Sequence, residues 1–82
     1  MKLYHISQSY NKGYDTYSDM VVCAESEDDA KSIHPNEQYG YVGDLWKSDS
    51  WCRYPDEVTA IYLGEADALL KRGIICASFH AG

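Results

Sequence analysis

Three histidines, His5, His34 and His80, and three cysteines, Cys23, Cys52 and Cys76, are the residues of this 82-residue chain best suited to nucleophilic or metal chemistry. All six can ligate zinc, but a zinc site needs four of them converging tetrahedrally, and no C-x-x-C pair starts one. Cys76 and His80 are four apart in a stretch that reads as a strand, which separates their backbones by about 13 Å, too far for a local chelate. No metal and no other cofactor is expected. Cys52, in Ser50-Trp51-Cys52-Arg53, has a basic neighbour that favours thiolate, yet nothing in the spacing fixes a histidine beside it as a base. The carboxylates of Glu27, Asp28 and Asp29 are explained by the start of a helix, where negative charge meets the positive end of the macrodipole. No G-x-x-x-x-G-K-[ST] loop, G-x-G-x-x-G turn or H-E-x-x-H helix is present, so phosphate-loop, dinucleotide and metallopeptidase readings lose support. Catalytic residues are therefore assigned to none, and a small enzyme of unknown reaction ranks last among the readings.

Two groups remain as recognition surfaces. The first is aromatic, with Tyr14, Tyr17, Tyr41, Trp46, Trp51 and Tyr54 joined by Arg53. Tyrosine and tryptophan combine large apolar area with a polar handle, so they serve equally as contact hot spots, as stacking platforms for planar bases, or as a lid over the core. The second is acidic, with Asp15, Asp19, Glu25, Glu27, Asp28 and Asp29 close in sequence and able to face a basic groove on a partner. Such a cluster equally serves as a solvated surface that aids solubility.

These groups need a scaffold, and the chain suggests a small one. Lys2 to Gln8 alternates as a first strand, with Leu3, His5 and Ser7 on one face and Tyr4, Ile6 and Gln8 on the other. Asn11-Lys12-Gly13 marks a hairpin connection, and Met20 to Ala24 follows as a second strand. Ser26 caps a helix of two to three turns, with Ala30 and Ile33 on one stripe and Pro35 ending it. From Asn36 to Pro55 no period is clean. Val58 to Leu63 reads as a third strand closed by Gly64, and Ile74 to Phe79 as a fourth opened by Gly73. The order β-β-α-β-β over residues 1–82 predicts one α+β domain, a two-layer arrangement of an antiparallel sheet of about four strands with one short helix. Val21, Cys23, Ile74 and Cys76 then fall on the side away from the helix, to be covered by the Tyr39–Tyr54 segment or by a second copy in a homodimer or higher oligomer.

Composition bounds the partners. Thirteen acidic against seven basic residues give a charge of −6 and a pI near 4.7. That is the wrong sign for direct nucleic-acid binding driven by counterion release. Apolar residues make up 45% of the chain and aromatics 13%, enough for a core. No stretch approaches the roughly 18 apolar residues that span a bilayer, and the N-terminus lacks the apolar run of a secretory signal, so neither membrane nor export is expected. An odd number of cysteines without paired spacing suits free thiols in a reducing compartment.

The stretches Tyr4-His5-Ile6-Ser7-Gln8, Gly13-Tyr14-Asp15-Thr16-Tyr17, Ile33-His34-Pro35, Tyr62-Leu63-Gly64-Glu65-Ala66 and Ala77-Ser78-Phe79-His80-Ala81-Gly82 together give the chain its resemblance to short proteins encoded by bacteriophages and prophages. None is a catalytic signature, so the resemblance implies a setting and transfers no residue role. That setting implies a non-enzymatic protein of the host bacterial cytoplasm that inhibits antiviral defence by binding a host defence protein or complex, as anti-CRISPR proteins do. The alternative it implies is an oligomeric sponge that holds a nucleotide-type immune signal between aromatic rings.

Overall fold

The computed structural model describes residues 1–13, 15–35, 41–42, 45–46, 51–52 and 54–80, with the backbone alone at residues 41–42, 45–46 and 80. Its main sheet has four antiparallel strands: β1 (Lys2–Ser7), β2 (Thr16–Ala24), β5 (Thr59–Glu65) and β6 (Gly73–His80). Between β2 and β5 lie α1 (Glu27–Lys31), a two-residue pair of strands, β3 (Tyr41–Val42) and β4 (Leu45–Trp46), and a 3-10 turn at Pro55–Glu57. The β1–β2 hairpin forms the centre of the sheet, which runs β5-β1-β2-β6. The later strands are therefore the two edges. Their connection rounds one end of the sheet, where the Ala66 amide donates to the Met1 carbonyl at 3.0 Å.

Alternation in the central hairpin decides which face is inside. Tyr4 and Ile6 of β1 and Met20, Val22 and Ala24 of β2 are buried, and they pack with Ala30, Ile33, Trp51, Cys52 and Val58 into one cluster. Burying a side chain the size of Ile6, Met20 or Val22 contributes about 1.5–3 kcal/mol each, so this cluster is where folding is driven. Trp51 is among its largest members and fully buried. The helix and the Trp51–Cys52 return thus share one face of the sheet.

α1 starts as its sequence predicts. Ser26 is extended, and its hydroxyl accepts from the Asp29 amide. It stops after Lys31, well short of two turns, because the Ser32 hydroxyl takes the Asp29 carbonyl at 2.6 Å and the Ser32 amide already bonds back to the same turn. A serine that bonds backbone locally competes with helix continuation.

Three register shifts correct the simple alternation, one of them at Ser18 of β2, between Tyr17 and Asp19. On β6, Cys76 pairs with Val21 but Ile74 pairs with Val22, leaving Ile75 as an extra residue. Ile74 therefore turns inward and packs on the core, while Cys76 stays outside. An inserted residue reverses the faces on either side of it, which a strict period of two does not reveal. Cys23 also departs from expectation: it is fully buried on the far side of the sheet, its sulfur 4.0 Å from that of Met1. On β5 the corresponding shift lies beside Leu63, where Tyr62 pairs with Tyr4 and Gly64 with Leu3. Gly64 has φ +148°, a conformation that side chains other than glycine's rarely adopt.

Candidate binding surface

The side of the sheet away from the helix brings together a histidine, a carboxylate, a thiol and a hydroxyl. His5 of β1 meets Asp19 of β2 at 3.0 Å, Nε2 to Oδ2, above a depression of about 340 Å³ that also touches Val21, Cys76 and Ser78. Strand order fixes what this set can do. His5 and Cys76 both register with Val21 from opposite sides, so their strands lie about 10 Å apart. Asp19 in turn registers with Ser78. The carboxylate thus stands between the imidazole and the hydroxyl, whereas a nucleophile relay needs the imidazole in the middle. Among the described residues no three of His, Cys, Asp and Glu are grouped to hold a metal ion.

Cys52 is no better placed for attack. Its thiol is buried in the core, and burial together with the nearby Glu57 carboxylate pushes its pKa up to about 12. A thiol held protonated at neutral pH is a poor nucleophile.

The aromatic group divides. Trp51 lies in the core, not on a surface, and the Asn11 side chain ties its carbonyl to the β1–β2 connection at 3.2 Å. Tyr17 is partly buried against the same cluster and tilts over Phe79, ring centres 4.7 Å apart. Tyr54 is exposed and caps the 3-10 turn, its amide donating to Glu57. Tyr41 and Trp46 face each other in register across β3 and β4, while their side chains, with Tyr14 and Arg53, lie outside the described residues.

The acidic group also divides, because β2 separates it. Asp15 precedes the strand and Glu25 follows it, about 30 Å apart at strand rise. Asp15 takes a left-handed φ of 59° in the connection, and Asp19 is engaged by His5. At the other end Glu25, Glu27 and Asp28 are exposed, whereas Asp29 binds Arg72 at 2.8 Å and accepts the Glu25 amide. The hydrogen bond from Arg72 holds the Asp29 carboxyl below its ordinary value, outweighing desolvation. The sequence places the six together, and the fold splits them into two ends.

What sequence reasoning passed over is the outer rim of β5. Ile61, Tyr62 and Leu63 are 53%, 54% and 53% exposed, three consecutive large apolar side chains on an edge strand. Tyr62 leans edge-on to Tyr4, and its hydroxyl donates to Glu65 at 2.6 Å, which raises the phenol pKa. The signal in the sequence is a charge-free run from Val58 to Gly64 bounded by acids; that it forms an edge needs the strand order.

No helix among the described residues is long and apolar enough to cross a membrane. The chain matches no protein-family model, no curated protein and no solved structure.

Proposed function

We propose that this protein acts by binding another protein and not by catalysis, and that in the setting its resemblance implies the partner is a component of bacterial antiviral defence, which it inhibits. The observation that carries the reading is the exposed row Ile61, Tyr62 and Leu63 on the rim of β5. Contiguous apolar side chains on a strand that is an edge among the described residues favour contact with another chain. The groups suited to chemistry give catalysis little support: Cys52 is buried and protonated, and Asp19 separates His5 from Ser78. The nucleotide-sponge reading loses one of its stacking residues, Trp51, to the core. Charge-reversed exposed acids at Glu27 and Asp28 provide a second contact to examine, since neither is tied into the fold by the bonds that hold Asp29.

Affinity capture from a bacterial lysate tests the reading. The wild-type chain is expected to retain a protein that the Ile61→Lys/Leu63→Lys variant, shown to be folded by its thermal melt, releases. Equal retention by both chains, or retention of nothing, counts against it.

A further inference from the structure

We propose that the outer edge of β5 is a docking site for an extended segment of a partner protein, apolar at its centre and basic at both ends. This rests on the protein-binding reading above and names the partner's chemistry. β5 ends the sheet, so among the described residues one side of its backbone has no neighbouring strand. Natural edges are guarded by lysine, proline, inward-pointing charge or a bulge, and Thr59–Glu65 has only the terminal Glu65 and the bulge at Leu63. Its regular stretch runs from Thr59 to Tyr62, after which the shift at Leu63 bends the strand away and limits the length that can pair. Ile61 on the open face and Tyr62 on the helix face offer side-chain contacts on both sides of an added strand.

Charge selects the occupant. Asp56 is exposed in the turn before β5, and Glu65, its last residue, and Asp67 are exposed at the other end. Lys2, in register with Glu65, is the cation nearest in the ladder. If two copies paired antiparallel about the centre of Thr59–Tyr62, Asp56 of each would come nearest Glu65 of the other, a like-charge approach made twice. A segment with lysine or arginine at each end instead meets opposite charge at both. β6, the other edge, has no Asp, Glu, Lys or Arg; paired with β6 of a second copy it leaves β5 open, whereas β5 against β6 of a second copy is a head-to-tail contact that builds chains or rings and depends on concentration.

Hydrogen exchange on the full chain distinguishes these. The probe is a peptide of alternating valine and threonine with lysines at both ends, alongside its glutamate-ended counterpart. The lysine-ended peptide is expected to slow exchange along Thr59–Tyr62 and not along β6, to bind at least about tenfold more tightly than the glutamate-ended one, and to lose that binding in Ile61→Lys/Leu63→Lys. Absence of protection at β5, equal binding of the two peptides, or protection of β5 that grows with protein concentration without peptide would each overturn the proposal. Peptide protection at β5 without lysate capture would leave the edge standing and remove the defence setting. Capture by a chain whose β5 still exchanges freely would do the reverse.

Discussion

Asp29 shows how a residue's neighbours, more than its type, decide what it does. It belongs in sequence to an acidic run, yet its carboxylate holds Arg72 and the Glu25 amide and thereby links α1 to the β5–β6 connection. Asp29→Lys should therefore lower the melting temperature more than Glu27→Lys or Asp28→Lys, which lose only the weaker macrodipole interaction. The same contact sets a pH dependence. With its folded pKa depressed, Asp29 stabilises the native state above its ordinary value of 3.8, and this contribution is lost as pH falls through the lower folded value. Arg72→Ala should cost less than about 1 kcal/mol at neutral pH, because the pair is partly exposed, and the difference from wild type should vanish in acid denaturation curves. The thiols offer a second check. Cys76 is exposed while Cys23 and Cys52 are buried. Iodoacetamide should modify Cys76 in the native protein and the other two only after unfolding, as read by peptide mass mapping.

At the level of elements, local chemistry carried the reading a long way. Strand positions followed from alternation in Lys2–Gln8 and Val58–Leu63, against strands at Lys2–Ser7 and Thr59–Glu65, and the start of α1 from Ser26, because these signals act over a few residues. Ser26→Ala should cost about 1 kcal/mol in urea denaturation, the ordinary worth of an N-cap hydroxyl. What failed locally failed for non-local reasons. Pro35 marks where a helix cannot continue, but Ser32 ends it first through a bond to Asp29 that only the folded turn reveals. The faces of Ile74 and Cys76 depend on a bulge against β2, and a bulge is a property of the pair of strands. Trp51 was equally suited to surface or core until Asn11 and the sheet fixed its place. Trp51→Ala should cost about 3–5 kcal/mol, the range for removing a large buried aromatic side chain. The same dependence on strand order hid the β5 rim, since Ile61 and Leu63 look like ordinary core residues in any strand that is not an edge.

Among the described residues the molecule presents one packed face, a second, partly exposed face with a His5–Asp19 pair, and two edge strands nearly without charge. Its net charge of −6 opposes contact between copies except where those edges lie. The distribution suits a chain that awaits a protein partner better than one that encloses a small molecule. Native and denaturing mass spectra of freshly purified protein bear on this most directly. The account predicts the mass of a single chain, with no small molecule released on denaturation. A defined oligomer that releases a nucleotide-sized ligand would contradict it and restore the aromatic sponge.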